Sequence, residues 1–325
     1  MKAKTIFIIY LVFSWLNPLK AQYDFDLVEK NRMAKAKVKT RTEWTYDFVN
    51  DKPADKGHRS AVFKYDMRGN VTEIVNYNAE GKIVSFVVYQ YDNRDNRTNY
   101  ERYDGNRQTL KYSQKSIFDA NGNKIRENGF DGNDQYNNTF KYDANGRLTE
   151  ISYVTNNSLT EKRQFNYWGN RTEILVYNAS NTLTFKQENN YNDKGSLLSE
   201  VRTNVQGSVL HSLNMQYNNI GSLLQEIKKL ANDKLDYQKM YYYDKDNRPT
   251  KEETINLDGS KFVSHEYQYN NLGYLIYKAL RRNERATEPS TYKYTYDAKG
   301  VCTEMEVYLS NYKFRTLQKY IYEFY

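Results

Sequence analysis

His58, His211 and His265 lie in different stretches of the chain, with no spacing that would set two of them on one metal ion. Asp and Asn recur in the turns and could suggest calcium, but the glycine–aspartate spacing of calcium-binding β-rolls is absent. Turn chemistry accounts for them. The 40 acidic residues supply many carboxylate pairs, none of them singled out, and there is no nucleophile elbow or phosphate loop. Cys302 is the sole cysteine, and a free thiol in a strand acts as a small buried apolar group. The remaining chemistry is aromatic, from 33 Tyr and 14 Phe, whose rings could stack on sugars or simply pack together. Packing is the expectation for most of them. Trp168, at a loop tip, is the candidate for an exposed ligand contact.

What positions these rings is a repeat. Tyr65, Tyr91, Phe118, Tyr142, Tyr167, Tyr191, Tyr217, Tyr243, Tyr269 and Tyr296 follow one another at intervals of 26, 27, 24, 25, 24, 26, 26, 26 and 27 residues. A fixed period in this range signals one supersecondary unit made many times. An active site should interrupt it at one place, and no unit carries an inserted loop of useful size. The sequence therefore predicts a non-enzyme without metal or cofactor.

One unit shows the grammar. Phe140-Lys141-Tyr142 alternates as a half-buried strand does, and Asp143-Ala144-Asn145-Gly146 suits a type I turn closed by a left-handed glycine. Leu148 to Tyr153 forms the return strand, and a second Asn-rich turn leads into the next unit. Asp95 and Asn247 stand where that glycine is missing. Two residues are deleted around Trp168, which keeps the side-chain alternation. Pro249, opening a return strand, suggests a local irregularity.

Residues 1–22 look like a cleavable export signal: Lys2 and Lys4, a ten-residue apolar run from Ile6 to Trp15, and Pro18 ahead of Ala21. That places the mature chain in the periplasm, at the cell surface or outside. Without the leader's three lysines, 45 basic residues face 40 acidic ones, too diffuse an excess to indicate nucleic acid. No later stretch is apolar enough to span a membrane. Residues 23–37 are predicted as a linker or short helix, and 38–325 as the array.

One hairpin cannot cover the entropy of ordering about 26 residues, so neighbours must stack. The predicted fold is all-β: about ten hairpins forming an elongated, curled antiparallel ribbon or partial shell with the rings inside. Val38 to Tyr46 is expected as a charged edge strand capping one end, and Tyr320 to Phe324 as the last strand. An outer-membrane barrel fits the strand lengths but needs an outward apolar band. The face opposite the rings carries Lys, Gln and Asn.

The stretches Lys64-Tyr65-Asp66-Met67-Arg68-Gly69-Asn70-Val71 and Phe140-Lys141-Tyr142-Asp143-Ala144-Asn145-Gly146-Arg147-Leu148 resemble the YD repeats of bacterial RHS proteins, toxin-complex shells and teneurins. The resemblance covers about residues 60–313. It implies hairpins wound into a spiralling shell, with family roles in enclosing a toxic segment, in adhesion and in sugar binding. The Asp-Pro-x-Gly core of the large shells is absent, so self-cleavage and a toxin payload are not implied. The expected function is a secreted non-enzymatic scaffold or binding protein contacting protein or carbohydrate. Alternatives are a partner or neutraliser of an RHS-type toxin and, third, a glycan-processing enzyme.

Overall fold

The structure, a computed structural model, describes residues 25–282, 285–286, 289–310 and 313–325. The predicted export signal lies outside the described residues.

A helix, α1 (Phe25–Ala36), precedes β1 (Val38–Val49), the two-residue β2 (Lys52–Pro53), β3 (His58–Tyr65), β4 (Val71–Tyr77), β5 (Ile83–Tyr91), β6 (Arg97–Asp104), β7 (Leu110–Phe118) and β8 (Lys124–Phe130). Then come β9 (Gln135–Tyr142), β10 (Leu148–Thr155), β11 (Ser158–Trp168), β12 (Arg171–Asn178), β13 (Leu183–Tyr191), β14 (Leu197–Asn204), β15 (Val209–Tyr217) and β16 (Leu223–Leu230). The chain finishes with β17 (Leu235–Tyr243), β18 (Pro249–Asn256), β19 (Lys261–Tyr269), β20 (Leu275–Arg282), the two-residue β21 (Arg285–Ala286), β22 (Ser290–Tyr296), β23 (Cys302–Leu309) and β24 (Phe314–Phe324).

The turn after each anchor explains why Asp or Asn follows it. Asp143 accepts at Oδ1 from the backbone N–H groups of Asn145 and Arg147, each at 2.9 Å, while Gly146 sits at φ 74°. The same pair of bonds recurs at Asp66, Asp92, Asp119, Asn192, Asn218, Asp244, Asn270 and Asp297. Only a short side chain with a planar oxygen reaches both donors. Asp95 and Asn247 take the left-handed place at φ 65° and 60°. Hydrogen bonds from the Asn96 and Asn123 side chains, then from the backbone, hold the Asp92 and Asp119 carboxyls below their ordinary range.

The anchor tyrosines join one unit to the next. Where the return strand begins, the register slips by one residue, as between Tyr142–Leu148 and Lys141–Glu150. Such a bulge leaves a carbonyl without its ladder partner. The anchor hydroxyl of the following unit donates to it: Tyr91 to Val71 O (3.1 Å), Tyr142 to Lys124 O (2.8 Å), Tyr167 to Leu148 O (2.7 Å), Tyr217 to Leu197 O (2.9 Å) and Tyr243 to Leu223 O (2.8 Å). Each bond contributes about 1 kcal/mol. The bulge also explains Pro249, which pairs with Tyr243 at the slip common to these units.

The ribbon does not stay open. β1 pairs with β3 on one side and with β24 on the other, so twenty-two long antiparallel strands close into a barrel. The expected elongated ribbon or partial shell is therefore corrected. So is the description of the chain as a YD- or RHS-type hairpin-repeat array, which presumes two free ends. The physical reason is at the termini: Val38–Tyr46 and Tyr320–Phe324, expected as separate caps, are two halves of one hairpin with no covalent turn. Nine residue pairs join them, from Val38–Phe324 to Asp47–Thr316. Tyr322 lies 26 residues beyond Tyr296, and its hydroxyl donates to Cys302 O at 2.7 Å. It is an eleventh anchor. Closure removes both strand edges, the usual liability of a sheet.

The rings face the inside, as α1 shows. Lys30 pairs with Asp95 after β5 at 2.8 Å, while Arg32 donates to Leu272 O after β19 at 2.8 Å. Along the wall those turns are eight strand spacings apart, about 38 Å. Two side chains two residues apart on one helix cannot reach that far around the outside of the wall. Only the concave side of the wall allows this. α1 contacts Tyr65 there through Met33, so the anchor face is the inner one. A ring of this circumference is about 34 Å across before strand tilt widens it, and α1 occupies one end.

Candidate functional site

The inner wall has two tiers. Next to the anchor turns run the rings: Tyr89 and Tyr100 meet at 5.2 Å between centroids, Tyr100 and Tyr112 at 5.2 Å, Tyr274 and Tyr296 at 4.9 Å. Further along the strands, charges appear. His211 contacts Glu200 at 3.1 Å, the Tyr237 hydroxyl donates to Glu226, and Glu252 lies 3.4 Å from Lys239 and 3.5 Å from His265. Burial opposes ionisation of Glu252, but His265, Lys239 and Ser264 outweigh it and hold the carboxyl down at about 2.

The mouth at the helix end is more tightly built. Met33, 1% exposed, packs with Val38, Tyr65 and Val301. Gly69, at φ 80°, lies so close to α1 that a Cβ there would stand 2.2 Å from Lys30 O. Arg41, facing inward from β1, bonds Glu29 of α1 at 3.1 Å and Glu43 at 2.9 Å. Its guanidinium lies 4.3 Å from the Phe63 ring centroid and 5.6 Å from that of Tyr320. Burial pushes the Glu43 carboxyl up against the pull of Arg41, and pushes the Tyr65 hydroxyl up to about 12. Arg32 caps the Tyr274 ring at 3.7 Å. Cys302, buried nearby, has its thiol pushed up to about 12, chiefly by burial.

The ten sequence anchors thus line one wall rather than forming a pocket. Trp168 stands elsewhere, 54% exposed at the β11–β12 turn, with the Arg171 guanidinium 5.4 Å over its ring. The histidines sit apart on β3, β15 and β19. Three features escaped the sequence: the buried Arg41–Glu43 pair, α1 in the mouth, and the outward rings Trp44 and Tyr46. Their signal was the alternation of β1, which puts Arg41 and Glu43 on the opposite face from Trp44.

No family model and no curated protein matches the chain. Among solved structures it is similar to a porin-like protein from Bacteroides uniformis, 14% identical over 65% of this chain and 96% of that one, with a TM-score of 0.30. A porin-like protein from Bacteroides vulgatus is 12% identical over 88% and 98%, with a TM-score of 0.22. The TcdB2–TccC3 complex is 14% identical over 82% of this chain but 20% of that one, with a TM-score of 0.23. Scores this low do not establish a common fold.

Proposed function

We propose that this chain is an exported, water-facing barrel that works as a non-enzymatic scaffold or binding protein of the cell envelope or exterior, contacting protein or glycan. The observation that carries the reading is the polarity of the wall. Rings line the inside, while ion pairs cross neighbouring strands on the outside: Lys64–Glu73 (2.9 Å), Lys141–Glu150 (2.7 Å), Arg171–Glu188 (2.6 Å) and Lys319–Glu304 (3.0 Å). Outward positions farther from the anchor turns are polar on β9 (Asn137, Thr139) and β15 (Ser212, Asn214), whereas Val62, Val75, Phe86 and Tyr103 make a short outward apolar row across β3–β6. A lipid-facing wall needs an apolar band about 25 Å tall, and Lys or Arg at its middle costs about 2–4 kcal/mol each. Pairing of the outer lysines with glutamates also argues against a nucleic-acid surface.

The mature chain is expected to purify as a folded, monodisperse species without detergent. Mixed with lipid vesicles and spun through a density gradient, it is expected to stay in the dense fractions. Quantitative flotation with vesicles, or folding only in detergent, would overturn the reading.

A further inference from the structure

We propose that a groove on the outer wall, across the β24–β1 seam, binds a neutral oligosaccharide. The proposal rests on the water-facing reading above and names one ligand class for it. The groove has a volume of about 620 Å³ and is lined by Trp44, Tyr46, Thr295, Glu304, Lys319 and Ile321. That lies within the range of small-ligand sites, about 300–1,000 Å³.

Outward rings occur elsewhere, as with Phe86 facing Tyr103 across β5 and β6, but Trp44 and Tyr46 follow each other outward along one strand, about 7 Å apart. Neither is fully buried. Trp44 stands opposite Lys319 and Thr42 opposite Ile321. Lys319 Nζ lies 5.5 Å from the Tyr46 ring centroid and 3.0 Å from Glu304. The Trp44 ring, flanked by Tyr46 under Lys319, a charged hydrogen-bonding pair and a threonine hydroxyl, matches the two sides of a sugar ring. Its C–H face packs on a π surface, and its hydroxyls need both donors and acceptors.

Other occupants fit less well. An extended peptide would bind a sheet by adding a strand, but closure leaves no edge at the seam to extend. Glu304 neutralises Lys319, so the groove offers no net charge to phosphates or to acidic glycans. A purely apolar ligand would strip water from the Lys319–Glu304 pair without replacing its hydrogen bonds.

The test uses the full mature chain against an array of neutral and acidic oligosaccharides, followed by calorimetric titration of the strongest neutral one. Trp44→Ala is expected to weaken that binding about tenfold or more, as loss of one stacking face predicts. Glu304→Gln, which keeps size and shape, is expected to weaken it as well, while Trp168→Ala leaves it unchanged. Circular dichroism and melting of each variant separate lost binding from lost folding. A silent array, preference for acidic glycans, or equal binding by well-folded Trp44→Ala and Glu304→Gln variants would overturn the groove. Those outcomes leave the vesicle result untouched, so the two readings fail separately.

Discussion

A chain ending at Leu309 is expected to yield no soluble, folded barrel. Removing β24 takes away one whole wall strand and both of its neighbours' partners, since β24 pairs with β23 on one side and β1 on the other. It also removes the Tyr322 bond to Cys302 O, the Tyr325 hydroxyl bond to Tyr65 O and the Tyr325 N–H bond to Lys37 O. β1 and β23 then become long exposed edges, ready templates for pairing with another chain. The soluble fraction after expression and the strand signal in circular dichroism check this. A truncated chain that remained monomeric with its full strand content would show that the seam is dispensable. In an open ribbon, by contrast, losing a terminal strand costs only one neighbour's contacts.

Arg41→Ala is expected to destabilise the barrel by about 3–5 kcal/mol, because it leaves a largely buried Glu43 without its counter-charge. The Arg41 side chain is 15% exposed and that of Glu43 16%, so solvent offers little compensation. The melting temperature should fall by on the order of 10 °C for a protein of this size. Replacing the pair together, as Arg41→Met with Glu43→Leu, is expected to recover most of the loss, since apolar groups of similar volume fill such sites well. Equal destabilisation by the single and double variants would mean that packing against Phe63 and Tyr320, rather than charge, is what Arg41 supplies.

The hairpins were legible because turn chemistry is local. Asp143, Gly146 and their counterparts satisfy bonds within four residues, so their types and spacing betray the turn directly. The inward direction of the rings followed from alternation alone. Closure was not legible, because it depends on residues 38–47 meeting residues 316–324, and nothing in either segment names its partner. Both look like ordinary edge strands, and the charges of Arg41 and Glu43 suggested a solvent-facing edge. Those charges face inward because α1 brings Glu29 to meet Arg41. A long-range ion pair of that kind has no periodic signature. Trp168 drew notice as a lone indole at a loop tip, whereas Trp44 was hidden within a regular alternation. What exposes Trp44 as a candidate is the register across the seam.

Closure is tested most directly by a disulfide placed across it. Thr42 and Ile321 are direct cross-strand partners on the outer face, and facing residues of adjacent strands meet the span a disulfide needs. With Thr42→Cys and Ile321→Cys, mild oxidation is expected to bridge the chain almost end to end, giving a compact band of faster migration on a denaturing, non-reducing gel. Two thiols that stay free after oxidation of the folded monomer, with mobility unchanged, would contradict a closed barrel.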